Sequence, residues 1–218
     1  MTIKRFWTEP YLTRLQTEIA EVEGDQVMLR ETIFYALSGG QESDQGMIGG
    51  HPVIEASKQG QSIVYRLPAD HGLTPGQVVD VVIDWQRRYR LMRLHFAAEI
   101  VLELVYRALV GVEKVGAHIA ADKARIDFAW PENVTPLLPD LAKAANELVA
   151  ADLPITSDFS DRDAGRRYWE IPGFAQVPCG GTHLRRTGEI GQVMLKRRNI
   201  GKGKERIEVF LTADTADT

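Results

Sequence analysis

The sequence predicts an α+β fold: a small N-terminal β-barrel over residues 1–85, then an α/β domain over residues 86–218 whose helices pack on a mainly antiparallel sheet. Three observations carry this expectation. Short apolar runs separated by Gly- and Pro-containing turns fill the first 85 residues. At Trp85 the apolar period changes from two to the three-and-four spacing of a helix. Beyond that helix, β-type runs return around one more helical stretch.

Taken in order, Gln26–Leu37 reads as a strand pair or one long bent strand. Pro52–Ser57 and Ser62–Leu67 form a hairpin through Lys58-Gln59-Gly60-Gln61, and Gln77–Trp85 alternates after the Pro75-Gly76 turn. From Gln86 to Val110, Leu91, Leu94, Ala98, Val101, Leu102, Val105 and Leu109 make one buried stripe, with Gly111 at the left-handed cap. Val115–Ala121 and Ala124–Trp130 form a hairpin around Asp122-Lys123. Thr135-Pro136 supplies the N-cap and first turn of a helix reaching about Ala151, and Val193–Lys196 and Arg206–Leu211 read as strands.

Composition limits the function classes. The 218 residues are 44% hydrophobic and 26% charged, which excludes wholesale disorder, collagen-like and coiled-coil chains. One cysteine excludes an intramolecular disulfide framework and any cysteine-only metal site. The longest apolar stretch, Phe96–Val110, is broken by Glu99, Glu103 and Arg107, and no apolar segment follows the basic N-terminus. A soluble, cytoplasmic protein is expected. The net charge of −4 argues against a generic nucleic-acid binder, but the charge is segregated. Arg87, Arg88, Arg90 and Arg93 lie together without an acid. Arg185, Arg186, Lys196, Arg197, Arg198, Lys202, Lys204 and Arg206 face only Glu189 and Glu205 over 185–206. Two basic runs on an acidic chain suit a polyanionic ligand approaching one face.

Two segments hold metal-ligand chemistry. His95 and Glu99, four apart, project from one helix face. Cys179-Gly-Gly-Thr-His183 sets a thiol and an imidazole four apart, with two glycines between them. Together these residues offer two imidazoles, a thiolate and a carboxylate, a set that suits zinc. Taken singly, a helix histidine is more often structural and a lone cysteine a small hydrophobe. Gly-Gly between two ligand types favours the metal, because it sacrifices stability unless the backbone must approach something.

Cys179-Gly180-Gly181-Thr182-His183 followed by Thr187-Gly188-Glu189-Ile190-Gly191 resembles the CGGTH…TGEIG signature of alanyl-tRNA editing proteins. These are free-standing relatives of the editing domain of alanyl-tRNA synthetase, with a more distant cousin in threonyl-tRNA synthetase. Gly39-Gly40-Gln41-Glu42-Ser43-Asp44-Gln45-Gly46 resembles the family's GGQxxDxG, and Arg90–His95 the approach to its HxxxH helix. Ala145-Asn146-Glu147 and the basic, glycine-rich 201–207 are similar to further family elements, so the resemblance covers nearly the whole chain.

The resemblance implies a zinc-dependent deacylase, with one zinc per chain, that removes serine and also glycine from mischarged tRNA for alanine. The chain begins at Met1 without room for an aminoacylation core, so action in trans is expected. It implies His95, Cys179 and His183 as metal ligands, with Glu99 in the place of the family's second histidine. Ala36-Leu37-Ser38 is a second departure, where members often carry Pro and Gly. Gln41 and Thr182 are the candidate substrate-contacting residues, while Asp44 is expected only to close the glycine turn. Arg87, Arg88, Arg90, Lys196, Lys202 and Lys204 are candidate tRNA phosphate contacts. No membrane and no obligate protein partner is inferred. His51, His71 and His118 lie outside every motif, and Trp7, Trp85, Trp130 and Trp169 are expected in a core or at a domain junction. Two other readings stay open: a non-catalytic tRNA-binding homologue with an altered metal site, and a zinc hydrolase of another small ester.

Overall fold

A computed structural model describes residues 2–201 and 203–212, and every count below is of these residues. Two compact units emerge, Met1–Ser38 with Glu42–Tyr89, and Gly39–Gln41 with Arg90–Thr218. The fold is α+β, with sixteen strands and two α-helices.

In the first unit, β1 (Ile3–Lys4) pairs in parallel with β4 (Glu31–Thr32). The remaining strands are β2 (Arg14–Glu23), β3 (Gln26–Leu29), β5 (Gly46–Ile48), β6 (His51–Pro52), β7 (Glu55–Gln59), β8 (Ser62–Arg66) and β9 (Val78–Ile83). They form one antiparallel sheet in the order β6-β5-β9-β2-β3-β8-β7. Strand β2 makes it curl: Arg14–Glu18 pair with β9, while Ile19–Glu23 pair with β3, with a register shift between Ile19 and Glu21. Edges β6 and β7 do not pair with each other, so the sheet is a curled half-barrel. Ile19, Val27, Leu29, Phe34, Tyr65 and Val81 fill its core. The expected strand over Gln26–Leu37 is shorter: pairing stops at Thr32, and Ile33–Ala36 run on as irregular, fully buried chain.

Beneath that irregular chain lies a charge pair. Asp44 accepts from Arg88 Nε at 2.7 Å, from Arg88 Nη2, and from the Tyr35 backbone N–H at 2.7 Å. Arg88 also donates to the carbonyls of Ile33 (2.6 Å) and Pro10 (3.0 Å), and both side chains are 0% exposed. A buried charge is tolerable when paired and fully hydrogen-bonded, and this one is. Asp44 therefore does more than close a turn.

Helix α1 spans Trp85–Ala108. A single buried stripe is not what forms: residues 91–98 are all buried, the signature of a helix enclosed on every side. The second unit continues with β10 (Glu113–Ile119) and β11 (Ala124–Ala129), then α2 (Leu138–Ala150). Thr135 does not cap α2: a 3-10 turn over Thr135–Leu137 precedes it, and the Asn133 side chain accepts from the Thr135 N–H. Strands β12 (Thr156–Asp161), β13 (Arg166–Ile171) and β14 (Ala175–Pro178) make a three-stranded antiparallel sheet, unforeseen from sequence. Finally β15 (Val193–Asn199) and β16 (Lys204–Leu211) join β10 and β11 in the order β10-β11-β16-β15. Asn146 docks α2 on β15, its amide bonding the Val193 carbonyl at 2.9 Å and N–H at 2.8 Å. Among the described residues, no helix is long and apolar enough to cross a membrane.

Candidate metal centre

Helix geometry sets His95 and Glu99 one turn apart on α1. His95 is 4% exposed, with Nε2 at 3.4 Å from Cys179 Sγ and 3.5 Å from Glu99 Oε1. The other Glu99 oxygen accepts a 2.9 Å hydrogen bond from the Trp169 indole on β13. Cys179 follows β14, and Arg167 of β13 grips its loop twice. The Arg167 carbonyl accepts from the Cys179 N–H at 2.9 Å, and its guanidinium donates to the Gly181 carbonyl at 3.0 Å.

Only one of the two loop glycines is required. A Cβ on Gly181 would lie 1.9 Å from His95 Cε1, whereas one on Gly180 would meet open space. That close approach brings His183 into the cluster. Its Nδ1 shares a 2.8 Å hydrogen bond with Ser157 Oγ of β12, and its Nε2 is buried with no hydrogen-bond partner. A buried imidazole nitrogen without a partner is costly unless something binds it. The donor atoms of His95, Cys179 and His183 all lie within 4.8 Å of one another, so the three can hold a metal ion. Two donors on one tetrahedral zinc stand about 3.5 Å apart, and the His95–Cys179 separation of 3.4 Å matches that. The N, N, S donor set fits zinc.

Burial disfavours a charged His95, yet Cys179 and Glu99 outweigh it and push the ring up to about 10, so a metal at Nε2 would have to displace a proton. Burial, with the charges of His95 and Arg167, drives His183 well below its ordinary value, so it stays a neutral donor. Burial opposes charge on Glu99 as well, but hydrogen bonds from His95 and Trp169 hold its carboxyl low.

Gln41 and Thr182 are brought together. The Gln41 amide donates to Thr182 Oγ1 at 2.9 Å, and its carbonyl oxygen faces the Thr182 N–H at 3.4 Å. Gly39–Gln41 belongs to the second unit because Ile119 N–H donates to the Gly40 carbonyl at 2.8 Å and Gln41 bridges Ile119. Gly40 has φ +89°, and a Cβ there would meet the Ala117 carbonyl oxygen at 2.6 Å.

The basic candidates are scattered in role. Arg88 is corrected outright: fully buried on Asp44, it offers nothing to a phosphate. Arg87 is paired with Glu42 at 2.6 Å, and Arg90 donates to the Ala121 carbonyl at 2.5 Å. Lys196 and Lys204 are exposed, and Lys202 lies outside the described residues. Sequence reasoning missed Ser157, Arg167 and Trp169. The alternation of Arg167, Trp169 and Ile171 was the available signal, and all three are buried.

Fold and site together define a two-unit α+β protein with a buried imidazole–thiol–imidazole cluster in its second unit. The family "tRNA synthetases class II (A)" matches residues 7–87, and "Threonyl and Alanyl tRNA synthetase second additional domain" matches residues 170–208. The chain is 33% identical to the alanyl-tRNA editing protein AlaX-M of Pyrococcus horikoshii, over 97% of this chain and 98% of that protein. It is also 33% identical to AlaX-M of Saccharolobus solfataricus, over 95% and 98%. Alanine–tRNA ligase of Methanopyrus kandleri is 36% identical over 86% of this chain, which spans 23% of that enzyme. The chain belongs to the alanyl-tRNA editing protein family.

Proposed function

We propose that the protein is a trans-editing deacylase that hydrolyses the ester linking serine, and also glycine, to tRNA for alanine. It would act with one zinc per chain in the cytoplasm. The observation that carries this reading is the His95–Cys179–His183 cluster, in a chain that AlaX-M relatives match almost end to end. In this proposal residues 1–85 form a barrel-like accessory domain and residues 86–218 the editing domain.

His95, Cys179 and His183 would hold the zinc, with Glu99 Oε1, which lies outside that mutually close group, as an exchangeable fourth donor that yields its position to substrate. Bound zinc supplies positive charge that polarises the ester carbonyl. The chain arranges everything else. Ser157 fixes the ring of His183, so that Nε2 faces the other donors. Arg167 holds the Cys179–Gly181 loop at both ends, and Gly181 leaves room for His95. Gln41 and Thr182, locked together, would present an amide and a hydroxyl that orient the bound aminoacyl group. Arg87, Arg90, Lys196, Lys202 and Lys204 remain the proposed contacts to tRNA phosphates.

Single-turnover deacylation of seryl-, glycyl- and alanyl-tRNA for alanine by the full chain tests this. Rapid loss of serine and glycine with alanine spared is expected. Equal, uncatalysed decay of all three would overturn it.

A further inference from the structure

The four-stranded sheet of the second unit buries Ala124, Ile126, Phe128, Ile207 and Val209 on one face. Strand alternation turns the intervening residues to the opposite face, and the register aligns them in rows. His118 lies beside Arg125, Arg125 beside Glu208, and Glu208 beside Lys196. In the next row Asp127 lies beside Arg206, and Arg206 beside Arg198. A depression of about 300 Å³ opens there, its charged lining formed by Lys123, Arg125, Arg198 and Arg206 against Asp122 and Glu208, with His118 beside them.

Positive charge is in excess and held in place. Asp127 takes both Arg206, at 2.6 and 2.9 Å, and Arg125. Glu208 accepts from Lys123 at 2.8 Å and lies 4.0 Å from Arg198. The Phe210 ring carries the ammonium groups of Lys196 and Lys123 at 5.1 and 5.8 Å. Each carboxylate thus serves two cations, and the aromatic ring is capped by charge. Protein interfaces are depleted of charge at their centre, whereas forked guanidiniums and positioned ammoniums suit phosphates. The face also adjoins the candidate site along the chain: His118 precedes Ile119, which pairs with Gly40 and Gln41, and Gln41 holds Thr182.

We infer that this sheet face, centred on the depression, docks the phosphodiester backbone of the RNA substrate. The inference rests on the proposed reading of tRNA as substrate, and it identifies Lys123, Arg125, Arg198 and Arg206, with Lys196 beside them in the row of Glu208, as groups that position the RNA without reading its bases. It also explains why the acidic chain gathers its cations on neighbouring strands.

Fluorescence anisotropy of labelled, uncharged tRNA for alanine, titrated with the full chain between 50 and 200 mM salt (conditions of about this range expose the salt slope), tests it. The Lys196→Ala, Arg198→Ala double variant should bind at least about tenfold more weakly at the middle of that range. Its slope of log affinity on log salt should fall by about 1.4–1.8, as for two lost phosphate contacts. Lys143→Ala, which removes an exposed charge from α2, should change neither, and Lys196→Glu should weaken binding further than Lys196→Ala. Unchanged affinity and slope in the double variant would overturn the docking face even if the wild type deacylates seryl-tRNA. Conversely, the expected loss in a wild type that deacylates nothing would sustain the docking face and reject the editing reading.

Discussion

The Trp169 indole donates a 2.9 Å hydrogen bond to Glu99 Oε2, leaving Oε1 as the carboxylate oxygen that faces His95 Nε2 at 3.5 Å. Trp169 is wholly buried on β13, its ring edge-on to Phe96 at 5.1 Å. Turning Glu99 away would strand a buried N–H donor. Glu99 is therefore held in one orientation by a second residue.

That relationship predicts an order of effects. Glu99→Ala should bind zinc more weakly, Glu99→His should retain it, and Trp169→Phe should fall between wild type and Glu99→Ala. Trp169→Phe should also lower stability by about 1–3 kcal/mol, the usual cost of leaving a buried acceptor unsatisfied. Zinc competition with a chromogenic chelator and thermal melting provide the readouts. Wild-type zinc affinity in Glu99→Ala would remove the carboxylate from the metal.

The two loop glycines should separate cleanly. Gly181→Ala drives a methyl into the His95 ring, so the variant should lose bound zinc, whereas Gly180→Ala enters open space and should keep it. Metal analysis of both purified proteins decides the point, and equal zinc content would show that the loop tolerates what its geometry forbids.

Ser157→Ala deletes the hydroxyl beside His183 Nδ1. Outer partners of metal-bound histidines are commonly worth about 10–100-fold in affinity. A loss in that range is expected, with the melting temperature of the metal-free protein little changed.

Away from the site, stability should depend on acid in a defined way. Hydrogen bonds from Arg197 hold the Glu205 carboxyl below its ordinary value of 4.5. A carboxylate depressed in the folded state contributes stability that is complete above its unfolded pKa and is lost as pH falls through the folded one. The difference in melting temperature between wild type and Glu205→Gln should thus be constant near neutrality and shrink as pH drops below 4.5. A difference that grows with acid would contradict the pairing.

Local patterns revealed much of this molecule. The hairpin through Gly60, the hairpin around Asp122-Lys123 and helix α1 all carry period and turn chemistry within a few residues, and all form. The candidate ligands were legible for the same reason, since His95 with Glu99 and Cys179 with His183 are each spaced within one motif. Strand β2 was not, because its sequence RLQTEIAEVE spreads charge along its length; it pairs with β3 just after it, but its second partner, β9, lies more than 50 residues along the chain. The sheet β12–β13–β14 was hidden by its Asp- and Arg-rich residues. Arg167 there looks solvated in sequence and is 4% exposed in the fold. Arg88 misled for the converse reason: its partner Asp44 is 44 residues distant, and only tertiary structure brings them together.

The activity proposed for this protein is metal-dependent hydrolysis of mischarged tRNA at His95, Cys179 and His183. The direct measurement is the single-turnover rate on seryl-tRNA for alanine before and after chelation, and again after stoichiometric zinc, in wild type and Cys179→Ala. The predicted result is rapid hydrolysis by wild type that chelation abolishes and zinc restores, with Cys179→Ala inactive and metal-free throughout. Full activity in the metal-free wild type, or in Cys179→Ala, would contradict it.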